Sequence, residues 1–186
     1  MSDKEGYVAD FPSEIIIEGK IQVLVPKLEA YGVLPSDYAP SKAPVFYNPV
    51  MEFNRDLTVL AFKAFQRMVN HEISICEPFT SQGIRGIRFA VEVEGVTKVL
   101  ISDISTTALE LAKHNVDLNK IENKITLKHK DANCILSSNA SPKKRFDIID
   151  IDPFGTPVPY LDSAFRALKN NGLLAATATD LAPLCG

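Results

Sequence analysis

Between Ile73 and Thr179 five apolar, β-branched runs alternate with segments of helical periodicity, and no other feature limits the fold of this chain as much. Strands are expected over Ile73 to Phe79, Lys98 to Ile104, Ile125 to Ala132, Phe146 to Ile151 and Gly172 to Thr179. Helices are expected between them over Ser81 to Glu94, Thr106 to Leu118 and Thr156 to Leu168, with room for a short one after Ala132. Strand and helix in strict alternation imply right-handed crossovers and a parallel sheet covered on both faces. The expected fold is therefore α/β and Rossmann-like, with about five parallel strands. In such a sheet, ligands bind at the carboxyl ends of the strands.

An appendage precedes this unit. Residues 1–12 are expected to be loosely ordered. Glu14 to Ile17 and Lys20 to Val25 flank Glu18-Gly19, the pattern of a small hairpin. From Pro26 to Pro49 the chain is rich in Pro, Ser and Tyr, with Pro35, Pro40, Pro44 and Pro49, and reads as an irregular connector. It ends at Phe46-Tyr47-Asn48-Pro49, two aromatics whose commoner fate is to plug a core. The division expected is 1–50 for hairpin and connector and 51–186 for the sheet domain. Met51 to about Asn70 forms a helix whose apolar face carries Phe53, Leu57, Leu60, Ala61, Ala64, Phe65 and Met68. Arg55, in its first turn, is opposed by the positive end of the helix dipole. That makes it a candidate for holding an anion, with an ordinary surface arginine as the alternative.

The fourth strand stops at Asp152-Pro153-Phe154-Gly155, a turn constrained by Pro and Gly. It presents a carboxylate at the ligand-binding edge with an aromatic ring two residues on. An exocyclic amino group on a nucleobase is a poor nucleophile, because its lone pair is delocalised into the ring. Methylating it needs an acceptor for the N–H and a rigid hold on the base plane. Asp152 offers the first and Phe154 the second, base–aromatic stacking contributing about 1–3 kcal/mol. A lone Asp-Pro would be better read as a helix cap beside a core Phe. The ring held just past the acid favours methyl transfer to an amino group of nucleic acid.

The turn after the first strand, Glu77 to Gly86, reads EPFTSQGIRG. Gly83 and Gly86 permit close backbone approach to a ligand, but the dinucleotide and triphosphate glycine motifs are both absent. Asp103 ends the second strand 20 residues after Gly83, the spacing at which an acid reaches ribose hydroxyls. Asp131 ends the third, where an adenine would rest. With Glu77 and Asp152, four strand ends carry an acid. Such an edge repels phosphate and suits a ribose, an adenine amino group and a cation, the features of S-adenosylmethionine. Each acid singly is as well read as a helix cap; four in register favour the cofactor.

Composition sets outer bounds. The net charge of −3 is not that of a self-sufficient RNA binder. The lysines between Lys120 and Arg145 are given no site role. Cys76, Cys134 and Cys185 are far apart and His71, His114 and His129 form no motif, so no metal site is expected. No apolar run approaches the roughly 20 residues that span a bilayer, and the opening residues lack a secretory-signal pattern. A cytoplasmic location is expected, or a nuclear one in a eukaryote; oligomeric state is left open.

Several segments carry a resemblance: EGK (Glu18 to Lys20), VFYNPVMEFNRD (Val45 to Asp56), SQGIRGIRFA (Ser81 to Ala90), DIDPFGTPVPYLDSA (Asp150 to Ala164) and TATDLAPLCG (Thr177 to Gly186). From about Glu14 onward the chain resembles the tRNA guanine-26 N2-dimethyltransferase family. The resemblance implies a class I methyltransferase domain that uses S-adenosylmethionine to mono- and dimethylate the exocyclic N2 of guanine 26 in tRNA. It implies Asp152 as catalytic carboxylate and Phe46 and Phe154 as a sandwich for the guanine. Arg55, Asp103 and Asp131 are implied as cofactor contacts alongside the Gly83 turn, with Glu77, Ser81 and Ala132 grouped with them. Two features depart from the family pattern. Cys76-Glu77-Pro78-Phe79 stands where the family has an Asp followed by small residues, and the family continues past TATDLAPLCG with further strands and a C-terminal domain that helps hold tRNA. The chain is accordingly expected to be about the first half of an enzyme. The competing readings are an rRNA or DNA amino-methyltransferase and a non-catalytic RNA-binding fragment. The pairing of NPVMEFNRD and TATDLAPLCG with DPFG argues for the tRNA family.

Overall fold

A computed structural model describes residues 9–32 and 42–180. Outside the described residues lie 1–8, 33–41 and 181–186, and with them most of the expected loose N-terminus, Pro35 and Pro40 of the connector, Cys185 and the end of the TATDLAPLCG segment.

Among the described residues five strands, β3 (Ile73–Glu77), β4 (Val96–Asp103), β5 (Ile125–His129), β6 (Phe146–Ile151) and β7 (Leu168–Ala176), pair in parallel in the order β5-β4-β3-β6-β7. β6, inside the sheet, is buried along its whole length, as a strand covered on both faces requires. The connecting helices are α2 (Ile84–Glu92), α3 (Thr106–Leu118), α4 (Ala132–Ser138) and α5 (Val158–Ala167).

Strand boundaries move from those expected, β3 ending at Glu77, β4 running from Val96 to Asp103 and β7 ending at Ala176, and two further shifts have a visible cause. The third strand ends at His129, because the Asp131 carboxylate accepts from the Cys134 amide at 3.1 Å and caps α4 instead of extending the strand. The fifth begins at Leu168, within the helix expected to reach that residue. Pairing runs from Phe146↔Leu168 to Ile148↔Leu173, so Lys169 to Gly172 bulge out of the ladder, with Asn171 at φ 61°. Gly172 is needed there, since a Cβ would lie 2.8 Å from the Asp147 carbonyl oxygen.

The helix expected from Met51 is α1 (Glu52–Val69), entered through a 3-10 turn at Pro49–Met51. Its orientation differs from the expectation. Of the predicted apolar face only Phe65 is buried, while Phe53 and Met68 are 70% and 76% exposed. The helix instead turns Arg55, Val59, Phe62 and Phe65 inward. An ionic contact at Arg55, described below, sets the rotation, so the inner face is mixed in polarity.

The hairpin forms as β1 (Ser13–Glu18) and β2 (Ile21–Pro26), antiparallel with Glu18 opposite Ile21. Ile21, Val23 and Val25 join the same core as Ile75, Ile87 and Ile101. Asn115 of α3 and Asn119, which caps its C-terminus, complete the free edge of β2. Asn115 accepts from Leu24 N at 2.7 Å and donates to Leu24 O at 3.0 Å, and Asn119 does the same with Gln22 at 3.0 and 2.6 Å. A side-chain amide carries one acceptor and two donors, so each stands in for a strand residue. Among the described residues no helix is long and apolar enough to cross a membrane.

Candidate active site

The chain leaves β3 at Glu77 and turns through Thr80 to Gly83 into α2. Glu77 is fully buried beneath that turn, its Oε2 accepting from Thr80 Oγ1 at 2.8 Å and Gly86 N at 2.9 Å. Burial pushes its carboxyl well above the usual range and Asp150 adds to the effect, against Arg85 and the two hydrogen bonds. Glu77 therefore braces the turn from within and offers no surface to a ligand. Gly86 admits this brace, because a Cβ there would approach Glu77 Oε2 to 2.6 Å.

Asp103 stands at the open end of β4 and is half-buried. Its Oδ2 accepts from Ser81 N at 2.8 Å and its Oδ1 from Ser105 N at 2.9 Å, leaving each oxygen a further lone pair. Asp131 is exposed at the start of α4, followed by the buried Ala132. Ser81 bonds in a second direction, its Oγ donating to the Phe46 carbonyl at 2.8 Å. The Phe46 ring meets Phe154 edge-on at a centroid distance of 4.8 Å. Phe154 is 76% exposed, and its turn is tied to the segment after β7 by Gly155 N to Thr179 Oγ1 and Thr179 N to Gly155 O, both 2.9 Å.

Asp152 keeps 23% of its side chain exposed and lies 3.4 Å from Arg85 Nη1. Arg85 forks onto the buried Asp150 at 2.7 and 3.1 Å and donates to Asn54 Oδ1 at 3.0 Å and Thr58 Oγ1 at 3.2 Å. Burial raises the Asp150 carboxyl, and the Arg85 guanidinium works against that rise. Sequence reasoning gave Arg85 no role. A signal existed: Arg85 and Arg88 interrupt a helix whose other early residues are Ile84, Ile87, Phe89 and Ala90. Arginines on so apolar a helix require buried acids nearby.

Arg55 does hold an anion, and in this structure the anion is Glu18. Both side chains are buried and joined by two contacts of 2.6 Å, with Arg55 Nη1 donating to the Asn48 carbonyl at 3.2 Å. Arg88 extends the cluster to Glu18 at 3.0 Å, Asp56 at 2.6 Å and Glu92 at 2.7 Å. Described contacts thus bring together Phe46, Ser81, Asp103 and Phe154, and join Arg85 to Asp152. Arg55 belongs to the hairpin cluster, and Asp131 with Ala132 stands at α4.

The family profile of N2,N2-dimethylguanosine tRNA methyltransferases matches residues 19–186. A tRNA (guanine(26)-N(2))-dimethyltransferase of Methanothermobacter thermautotrophicus is 46% identical over 169 residues, 91% of this chain and 41% of that protein. One from Methanobrevibacter smithii is 49% identical over 150 residues, 81% of this chain and 38% of that protein. Among solved structures, Trm1 from Pyrococcus horikoshii with S-adenosyl-L-methionine aligns with a TM-score of 0.76 at 37% identity, covering 93% of this chain and 44% of that one. A SAM-dependent methyltransferase from Agrobacterium tumefaciens, at 17% identity and TM-score 0.64, shares the fold. The chain spans less than half the length of each of the two tRNA methyltransferase relatives. With its motifs matched along nearly all of its length, the chain belongs to the N2,N2-dimethylguanosine tRNA methyltransferase family.

Proposed function

We propose that the protein containing this chain methylates the exocyclic N2 of guanine 26 in tRNA, adding one and then a second methyl, with S-adenosylmethionine as donor. The observation that carries the reading is the Asp152-Pro153-Phe154 turn, with its carboxylate beside Arg85 and its ring against Phe46. The groups at the neighbouring turn fit the cofactor. Asp103 and Asp131 are acidic, which suits a ribose, an adenine amino group and a cation better than a phosphate. Asp103, with lone pairs to spare, would take ribose hydroxyls, and Asp131 with the Ala132 backbone would face the adenine. S-adenosylmethionine supplies an electrophilic methyl on a sulfonium when bound.

Asp152 accepts the N2–H of the guanine, orients the nitrogen lone pair, and takes up the proton as that nitrogen becomes cationic. Arg85, anchored on Asp150, Asn54 and Thr58, fixes where that carboxylate points. Phe46 and Phe154 touch edge-on, so a base enters by parting them, and their faces then hold its plane. The test is transfer of labelled methyl to unmodified tRNA by the complete protein, with guanine 26 replaced by adenine in a control. Incorporation should vanish in the control; incorporation that ignores the substitution would refute this function.

A further inference from the structure

We propose that Ser81 is a positioning residue that couples occupancy of Asp103 to the placement of Phe46, so that a cofactor at the sheet edge sets the ring that receives the base. The inference rests on the cofactor reading above and adds the link between its two halves.

Ser81 sits at φ 47°, in the left-handed region that side chains disfavour and glycine enters freely. What glycine lacks is the hydroxyl, and the hydroxyl is engaged. Its main-chain N–H donates to Asp103 Oδ2 at 2.8 Å while its Oγ donates to the Phe46 carbonyl, also at 2.8 Å. One residue therefore spans from the open end of β4 to a segment 35 positions earlier in the chain. Its neighbours are fixed. Thr80 N donates to Ser102 O at 3.0 Å, and the Gln82 carbonyl accepts at 3.0 Å from the buried Asn115, which also grips Leu24. With both flanks held, a change at Asp103 passes through Ser81 instead of being absorbed by the turn.

A ligand hydroxyl on Asp103 shares the carboxylate that now serves the Ser81 amide, and the Ser81 peptide adjusts to keep its bond. The adjustment reaches the Phe46 carbonyl, and through it the ring that meets Phe154 edge-on. Coupling of this kind is reciprocal: a base held on Phe46 changes cofactor affinity by the factor with which cofactor changes base affinity.

These 186 residues contain no tryptophan, so Phe46→Trp in the complete protein adds a reporter at the coupled position, read as the difference from the unsubstituted protein. S-adenosylmethionine is titrated into Phe46→Trp and into Phe46→Trp/Ser81→Gly, with calorimetry in parallel. Ser81→Gly relieves the backbone and removes the hydroxyl, so the variant should fold. Tryptophan emission is expected to change on cofactor binding in the single variant and to lose most of that change in the double one. Affinity should stay within about threefold, below the usual range of coupling factors. An undiminished response in the double variant, or none in the single variant despite calorimetric binding, overturns the coupling. Loss of all cofactor affinity with Ser81→Gly also overturns it, since Ser81 would then be a ligand. No calorimetric binding by the unsubstituted protein would sink the cofactor reading itself. Phe154→Trp serves as a second reporter should Phe46→Trp misfold.

Discussion

Glu77 and Asp150 stand on adjacent strands close to Asp103 and Asp152, yet the two pairs of acids have opposite surroundings. The first pair is wholly buried, and burial pushes both carboxyls upward. Asp150 is occupied by the Arg85 fork and Glu77 Oε2 by Thr80 and Gly86, while Glu77 Oε1 is buried without a partner and out of reach of solvent. The second pair is partly exposed and keeps acceptor capacity free. Proximity to the ligand edge does not by itself make an acid a ligand. One layer of packing separates the buried carboxylates from those that reach the surface.

Substitution at Asp152 should have the largest effect. Asp152→Asn preserves shape and removes the charge that in the proposed mechanism accepts the proton, so methyl transfer by the complete protein should fall about 10²–10⁴-fold, the usual loss of a positioned acid–base group. Thermal stability should scarcely change, because Asp152 is partly solvated. Asp150→Asn should do the reverse in emphasis, lowering stability by leaving Arg85 without its buried partner. If Asp152→Asn methylates at the normal rate, the division between the two pairs is broken.

The hairpin cluster extends the first kind of acid to another part of the molecule. Arg88 serves Glu18, Glu92 and Asp56 at once, and the first two are buried. Arg88→Ala strands the buried Glu92 carboxylate and leaves Glu18 to Arg55 alone, a change that costs about 3–5 kcal/mol. Urea unfolding should show it as a shift of midpoint. A loss below about 1 kcal/mol, the size of an exposed pair, would mean that water reaches the cluster.

Asp103→Ala should come next. Loss of a hydrogen bond to a charged group costs about 1.5–3 kcal/mol, read as weaker S-adenosylmethionine binding by calorimetry. Glu77→Gln should leave that affinity nearly unchanged, since the Glu77 carboxyl faces inward. Equal losses at both positions would erase the distinction drawn between them.

Much of this layout was legible before any coordinates. β6 and the turn at Asp152 follow from an apolar run closed by Pro and Gly, and the turn after β3 with Asp103 beside it from the alternation of strand and helix. These are local patterns, and local patterns survive tertiary packing. The rotation of α1 did not follow, because Phe53, Leu57, Leu60 and Met68 make a better apolar stripe than the face the helix buries. A long-range ion pair, Arg55 with Glu18, decided it. Glu77 was assigned to the ligand for a related reason: strand position reveals the edge, whereas burial depends on what packs beneath the turn. Arg85 went unassigned because its partners lie on α1 and β6, far away in sequence.

The smallest effect is expected at the opposite end of β6, where Asp147 shows the reverse electrostatics of Glu77. Burial works to raise the Asp147 carboxyl, but hydrogen bonds from Lys169 and from the amide and hydroxyl of Ser74 outweigh it and hold the group below its ordinary range. A carboxyl lowered in the folded state adds stability above its unfolded pKa, near 4, and that stability is lost as pH falls through the folded value. Glu77, raised instead, contributes below its unfolded pKa and loses that contribution as pH rises. Lys169 is 44% exposed in its side chain, so solvent screens the pair and Lys169→Met should cost less than about 1 kcal/mol at neutral pH. The melting-temperature difference from the unsubstituted protein should shrink below about pH 4 as Asp147 becomes protonated. A difference that stays constant from neutral pH to pH 3 would mean that Asp147 has no part in it.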